Sequence, residues 1–444
     1  MTNQPTVTLM HALSGLNNAP LSERVVGAAT RSLFNVLGNA IGAAHADAVT
    51  IAINVSQASG GHGSHPVLGR SETLQAEQAA FVNGIAVHYD DFDDTHLETV
   101  IHAGAVGLAS LVAANPNTPL ENAIRAFGLG IEAQLRIGSA ISPSHYYRGW
   151  HITGTCGVFG AAVTSGLLNG ADGNTLTRAV GYAAARTVGV REGFGTMTKP
   201  FHPGRAAVNG IRAARRAAHT ATEISEPLVG AGLFSDVYAD SVDVDRISGG
   251  LGTHFELFDN AFKPYPCGIV SHPGIYAATL LSARISRFDE IQQVRIISHP
   301  LVVDLTGNPT PKNGLEARFS TIHGVCAGLA DGTVALAQYA DERVNADDLV
   351  ALRAKASLIV DDTIARDQSR IEVTLYNGET LTEEVLHAPG SIARPLTDAE
   401  LYSKVDTLIN PVLPGRTDAL LTLLNAPAGH TLNSLWQLAT GDIR

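Results

Sequence analysis

Apolar residues recur at helical spacing through most of the first 260 positions. In 22–44, Val25, Val26, Ala29, Leu33, Val36, Leu37 and Ile41 fall three or four residues apart, the stripe of an amphipathic or largely buried helix. Segments 72–88, 104–114, 120–141, 154–168, 174–188 and 204–221 carry the same pattern, separated by Gly, Pro and Asn. No convincing strand interrupts them. The pattern changes near Lys263, where residues 292–299 and 301–304 are short and β-rich. Further on, Ile371, Val373 and Leu375 alternate with Glu372, Thr374 and Tyr376, and Asn377-Gly378 leads into a second extended run to His387. Asn-Gly between alternating segments predicts a hairpin with both central residues at positive φ. Helices are predicted between these strands, at 316–339 and 345–357. Thr397 to Glu400 has the spacing of a capping box and opens a last helical stretch. The reading is mainly α with a smaller α+β domain: an all-helical domain from both chain ends, 1–262 and 398–444, and an inserted α+β lid domain at 263–397.

Composition narrows the function classes. The 444 residues suffice for two or three domains, and abundant Ala and Gly within a 45% hydrophobic chain suit closely packed helices. A net charge of −12 speaks against nucleic acid and an anionic membrane surface as partners. It leaves room for a small anionic substrate in a locally cationic site. Cys156, Cys267 and Cys326 are far apart and form no Cys-x-x-Cys pair, so neither a disulfide framework nor a structural zinc is expected. Residues 1–9 lack the basic start and apolar run of a signal peptide. No segment reaches the roughly 18 uninterrupted apolar residues of a membrane span. The expectation is a soluble, cytoplasmic protein.

Against a background of 16% charged residues, positions 88–102 hold four aspartates and three histidines: His88, Asp90, Asp91, Asp93, Asp94, His96 and His102. Such density at the end of an apolar segment is costly unless paired, solvated or used. If 88–95 continue the helix, His88, Asp91 and Thr95 share a face, as do Asp90 and Asp94. A Mg²⁺ site would need a second acidic motif on a facing helix, and Asp361, Asp362 and Asp367 lie in the β-rich block. No metal is therefore expected. The bland alternative is that at least two of the four carboxylates cap neighbouring helices.

Three further constellations carry candidate chemistry. Tyr146 to His151 precede a Gly/Ala-rich helix whose first N–H groups could face an anion. Gly193 to Ala207 place Lys199 in a glycine-rich loop before a helix; a phosphate loop is excluded because no Gly precedes Lys199 and Pro200 follows it. Lys263 to Cys267, with two prolines, mark a rigid domain junction, and Ser271-His272 follow. For each, a structural role is the plain alternative.

In this order, the four motifs resemble the MmgE/PrpD family, which includes 2-methylcitrate dehydratase, cis-aconitate decarboxylase and iminodisuccinate epimerase. The resemblance rests on Asp91 to Thr95 with His102, Trp150-His151, Gly195 to Ala207 with Lys199 and His202, and Lys263 with His272. It spans nearly the whole chain. It implies a cleft between a helical domain and a lid, a homodimer, no metal or organic cofactor, and a small di- or tricarboxylate substrate. Active-site positions carried over are Asp91, Thr95, His102, His151, Lys199 and Lys263, with Tyr146, His202, His272 and His323 as substrate contacts. His323 stands where decarboxylases and dehydratases often have a tyrosine, and Gly268 stands where several members have Cys or His.

Proton abstraction next to a carboxylate builds negative charge that Lys199 and Lys263 are placed to stabilise, helped by N–H groups near Thr155. Each such donor is typically worth about 3 kcal/mol of barrier. One of His102 and His151 serves as base and the other as acid, with Asp91 orienting an imidazole and Thr95 binding a carboxylate. The first reading is a 2-methylcitrate dehydratase-like hydro-lyase; epimerase and cis-aconitate decarboxylase chemistries are alternatives. Outside this class stand a non-catalytic carboxylate-binding protein and a Mg²⁺-dependent synthase.

Overall fold

The computed structural model describes residues 4–220, 222 and 225–441. The protein is mainly α with a smaller α+β region. Residue 221 of the 204–221 prediction and the outermost residues of both chain ends lie outside that description. Predicted and observed helices agree most closely for Glu23–Gly42, Ala103–Val112, Leu120–Ile141 and Ile152–Leu168.

The largest hydrophobic core runs from Leu9 to Leu257 and takes in Leu401, Val405, Ile409, Leu420 and Trp436 from the C-terminal helices. Asp398–Ile409 packs on Glu23–Gly42, where a Cβ on Gly38 would lie 3.0 Å from Val405. Its N-terminus is the predicted capping box: Thr397 Oγ1 accepts from Glu400 N–H at 3.2 Å, and the Glu400 carboxylate accepts from Thr397 N–H at 2.8 Å. A second core gathers Tyr265 to Ala388.

That second core lies on a four-stranded sheet in the order Ala356–Val360, Ile291–Ser298, Ser369–Leu375, Thr380–Val385. The first pair is parallel and the others antiparallel. Helices His272–Ser282 and Thr321–Asp331 pack together beside it. The Asn377-Gly378 hairpin forms, but only Gly378 has positive φ. Gly378 N–H donates to Leu375 O and Leu375 N–H to Glu379 O, so the loop is three residues with glycine in the left-handed position.

Several local expectations fail for identifiable reasons. Residues 301–304 are helical, within Pro300–Thr306, because His299 caps the turn and Pro300 opens it. The helix expected to 357 ends at Arg353, and Ala356–Val360 extends beside Ile291–Ser298. The span 316–339 breaks into Gly314–Ala317, Thr321–Asp331 and Leu336–Tyr339, with Gly332 closing the middle helix in a left-handed C-cap. Short strands do occur before 262, among them Asp94–His96 and Asn260–Phe262. They pair antiparallel, Asp94 opposite Phe262 and His96 opposite Asn260, so Lys263 emerges beside the acidic segment.

Thr198–Ala218 begins six residues earlier than predicted and puts Lys199 in its first turn. Pro200 is tolerated there, and Pro203 costs only the bond to the Lys199 carbonyl. Where this helix crosses Ala76–Tyr89, a Cβ on Gly84 would lie 2.7 Å from Gly204 Cα. Glycine at both positions lets the helices touch and brings Lys199 to the end of the other. Among the described residues no single helix is long and apolar enough to cross a membrane; the sharply bent pair Glu23–Gly42 and Asp47–Ala58 passes by length and composition only.

Candidate active site

The helix Ala76–Tyr89 stops where the acidic run begins. Asp91 takes φ +52°, and Asp94–His96 then extends as a strand. The shared helical faces expected for His88, Asp91 and Thr95 therefore do not exist; a loop gathers these residues instead. Val100 also has positive φ, at +56°. For a β-branched residue this is a true outlier, and both outliers line the same cavity.

Asp91 Oδ1 receives the Lys199 ammonium at 2.6 Å and the Lys263 ammonium at 3.1 Å, and Lys263 also donates to the Asp91 carbonyl at 2.9 Å. All three side chains are buried. Burial would raise the Asp91 pKa, but the two ammonium groups outweigh it and hold the carboxyl far below its ordinary range. Burial lowers the Lys199 pKa, and Asp91 opposes that shift. With both lysines charged, the trio carries one net positive charge.

Asp93 bridges two imidazoles. Its oxygens accept from His102 Nδ1–H at 2.8 Å and from His88 Nδ1–H at 2.9 Å. Burial opposes ionisation of Asp93, yet its two imidazole partners hold its pKa well below normal. Burial pushes His102 down to about 3. His102 is thus neutral with its proton on Nδ1, and its Nε2 lone pair is left for the cavity. Thr95 Oγ1 lies 3.1 Å from the same Nδ1. Because that nitrogen carries a proton, the Thr95 hydroxyl hydrogen is free to point elsewhere.

The other two carboxylates differ again. Asp94 accepts from Gly104 N–H at 3.0 Å, from Ser32 at 2.5 Å and from Asn260 at 2.6 Å. Burial and the adjacent Asp93 nevertheless raise it to about 6. Asp90 pairs with Arg318 of the sheet-bearing region at 2.7 Å, and Arg318 also donates to the Tyr89 carbonyl at 2.7 Å. Only Asp94 caps a helix, where at least two were expected.

His151, the residue before the helix Ile152–Leu168, turns its Nδ1 toward His202 Nδ1 at 2.7 Å. N–H groups of Gly154 and Thr155 donate to the His151 carbonyl, so the backbone donors expected near Thr155 are already engaged. Burial holds the His151 pKa well below normal and brings His202 to about 4.

Asp91, Thr95, His102, Tyr146, His151, Lys199 and Lys263 all line one cavity of about 40 Å³. Phe194, Leu305 and Phe319 separate it from an outer recess of about 700 Å³. The Phe194 and Phe319 rings lie 5.5 Å apart, with the Lys199 ammonium 5.6 and 5.2 Å from them. The inner space has room for no more than a few waters; clefts that enclose small ligands run to about 300 Å³ or more.

Three residues expected on the substrate lie elsewhere. His202 stands behind His151. His272 packs on Tyr265 and bonds the Cys267 carbonyl at 3.3 Å. His323 is held by the Gln338 carbonyl at 2.8 Å and Arg353 at 3.1 Å. Each ring hydrogen-bonds to its own neighbours, and none lines the cavity.

Sequence reasoning gave no role to Asp93, His88, Arg318, Phe194, Phe319 or Lys404. Lys404 is buried and donates to Asn35 at 2.7 Å and to the Phe92 carbonyl at 2.6 Å, pinning the acidic loop from behind. A lysine on the apolar stripe of Leu401, Val405 and Leu408 was its available signal. His88, Asp91, Asp93 and His102 stand close enough to hold a metal ion, as do His96, Glu256 and Asp259. In the first group both ammonium groups already rest on Asp91, so its donors fit a cation poorly.

The MmgE/PrpD N-terminal domain model matches residues 8–247 and the MmgE/PrpD C-terminal domain model matches residues 265–425. Cis-aconitate decarboxylase of Homo sapiens is 27% identical over 422 residues, covering 90% of this chain and 86% of its own. Cis-aconitate decarboxylase of Aspergillus terreus is 22% identical over 383 residues, covering 79% and 78%. The cis-aconitate decarboxylase-like protein oryM of Aspergillus oryzae is 24% identical over 417 residues, covering 85% of each chain.

Proposed function

Because the chain belongs to the MmgE/PrpD family, we propose that it is a cofactor-independent lyase that generates a carbanion next to a carboxylate of a small di- or tricarboxylate. The observation that carries this reading is the convergence of Lys199, Lys263, His102 and His151 on one buried cavity. The net positive charge of the Asp91, Lys199 and Lys263 trio suits an anionic substrate. Aimed at the carboxylate where charge develops, each ammonium lowers the barrier by about 3 kcal/mol. Where the carbanion forms by proton abstraction, His102 is the base: Asp93 holds its proton on Nδ1 and leaves Nε2 to accept. Burial makes that nitrogen weakly basic, and a substrate carboxylate beside it restores basicity by stabilising the imidazolium. His151 is the acid, and the Thr95 hydroxyl binds a carboxylate.

The relatives move decarboxylation of a cis-aconitate-like acid ahead of the dehydration favoured by sequence alone. In that reaction the bond to the departing carboxylate breaks and its electron pair forms a new C=C bond. The former alkene pair becomes an aci-carboxylate, and His151 returns a proton to carbon. Residues 263–397 act as a lid, because acid entry requires Phe194, Leu305 and Phe319 to part. The working unit is a homodimer in the cytoplasm, a reading that rests on family resemblance and composition. Sedimentation of the purified chain at twice its 46.4 kDa mass tests the dimer.

The deciding experiment incubates the protein in D₂O with cis-aconitate, citrate-like hydroxy acids and aspartate-derived acids, followed by NMR. Loss of one carboxylate with deuterium incorporation is expected. Alkene signals from a hydroxy acid would indicate a hydro-lyase instead, and inverted, deuterated Cα an epimerase. No turnover of any acid, with Lys199→Ala indistinguishable from wild type, would leave a carboxylate-binding protein.

A further inference from the structure

The lyase reading needs a proton inside a buried cavity that Phe194 and Phe319 narrow toward the outer recess. His151 is 2% exposed, and among the described residues the only hydrogen-bond partner of its side chain is His202. His202 is half-buried, has no other hydrogen-bond partner among the described residues, and lines no part of the cavity. The pair is closely built. A Cβ on Gly154 would lie 3.1 Å from His202 Cβ, a tight approach, so glycine there gives the His202 side chain room. The Gly189 carbonyl accepts from His151 N–H at 3.1 Å, holding the backbone of the first imidazole beside the second.

Two Nδ1 atoms at 2.7 Å require one proton between them. Both rings are neutral, so that proton dictates the far nitrogens. When His202 Nδ1 carries it, His151 must carry its own on Nε2, facing the cavity, and His202 Nε2 is a bare lone pair. When His151 Nδ1 carries it, the arrangement reverses.

We propose that His202 is a proton relay, coupling the His151 nitrogen that faces the cavity to solvent through the shared Nδ1–H. In the forward passage His151 Nε2–H goes to the substrate carbanion, the shared proton moves from His202 to His151, and water protonates His202 Nε2. One proton enters the cavity, one leaves solvent, and both rings stay neutral. The opposite passage resets the tautomers once the lid opens to water. This rests on the lyase reading and explains how a buried site takes up the proton that decarboxylation consumes. His202 is a positioning residue, since it touches His151 and not the substrate.

The test uses the full chain with cis-aconitate, or whichever acid the D₂O panel shows to be turned over. His202→Asn keeps a hydrogen-bonding group near the Nδ1 position but cannot relay. His202→Ala leaves a ring-sized gap. Both are expected to keep KM within about twofold and to lose kcat by about a hundredfold, the scale of general acid–base assistance. Added imidazole is expected to restore His202→Ala at least about fivefold and His202→Asn not at all. In ¹⁵N-histidine NMR of the wild type, His151 and His202 are expected to hold opposite tautomers. Unchanged kcat in His202→Asn, failure of imidazole rescue, or two Nε2–H tautomers would each overturn the relay while leaving the lyase reading intact. A wild-type protein inert toward every acid would overturn both.

Discussion

Asp91→Asn removes one charge and little else. Asparagine adopts positive φ about as readily as aspartate, so the backbone at +52° loses no support. What changes is that two buried ammonium groups lose their counter-charge. At an effective dielectric of about 20, the lost attraction is about 6 kcal/mol for Lys199 at 2.6 Å and about 5 kcal/mol for Lys263 at 3.1 Å. Desolvation of the ions in the wild type offsets much of this, and breaking a buried pair by removing one partner typically costs about 3–5 kcal/mol. That is the expected loss in unfolding free energy at pH 7, read by urea denaturation with far-ultraviolet circular dichroism.

The pH dependence separates this cause from simple misfolding. The folded pKa of Asp91 is depressed, so its contribution is complete above its unfolded value of about 3.9 and is lost only as pH falls through the folded value. The gap between wild type and variant should therefore be flat from pH 5 to 8. In the variant, Lys199 keeps a lowered folded pKa without Asp91 to oppose it. The unfolded chain then binds more protons, so the variant gains stability as pH rises and the gap narrows towards pH 10. Catalysis should fall about a hundredfold at pH 7. A variant as stable as wild type at pH 7, or a gap that widens above pH 8, would refute the reasoning.

Three other perturbations test separate parts of the molecule. Burial holds His102 and His272 at about 3, below the unfolded histidine value of about 6.5. Their stabilising contribution is whole above about pH 6.5 and is lost as pH falls towards 3, by up to about 1.4 kcal/mol per pH unit for each ring. Urea midpoints should therefore drop between pH 6.5 and 4, and less steeply in His272→Phe; equal slopes would show that His272 does not titrate on unfolding. Lys404 is buried with a pKa lowered to about 7, so Lys404→Met should leave the thermal midpoint unchanged or higher while kcat falls about tenfold as the Phe92 carbonyl is released. A lower midpoint with unchanged kcat would make Lys404 a structural residue alone. Activity should survive dialysis against excess EDTA; its loss, with recovery on adding one divalent metal, would reassign His88, Asp91, Asp93 and His102 as ligands.

Helix positions were legible because burial imposes a period, and Leu120–Ile141 matches its prediction at both ends. Boundaries failed where tertiary pairing outweighs local pattern. Ala356–Val360 looks like a helix end until Ile291–Ser298 lies beside it as a parallel partner. Seven of the ten residues expected at the site line the cavity, and all seven come from the recognised motifs. His202, His272 and His323 were unreadable for a common reason. Residue type says that an imidazole is available, whereas a carbonyl or a second imidazole within 3.3 Å decides where it faces.

The acidic loop shows why spacing alone could not assign roles. Asp90, Asp91, Asp93 and Asp94 are the same side chain within five positions, yet each meets a different partner: a guanidinium, two ammonium groups, two imidazoles and a helix N-terminus. The consequences diverge accordingly, since Asp91 and Asp93 are held ionised while Asp94 is raised to about 6. A continuous helix could not deliver this, because it would turn at most two of the four toward one point. Ending the helix at Tyr89 and accepting positive φ at Asp91 aims each carboxylate separately. Strain of this kind costs about 1–3 kcal/mol per residue and persists only where surrounding contacts over-determine it. Here Lys263 on the Asp91 carbonyl, Lys404 on the Phe92 carbonyl and Arg318 on the Tyr89 carbonyl hold the main chain of the turn. Two of those cations lie outside the helices that flank the loop by more than a hundred residues, and the third comes from the C-terminal return of the chain. The loop's working shape therefore depends on contacts from three distant parts of the chain.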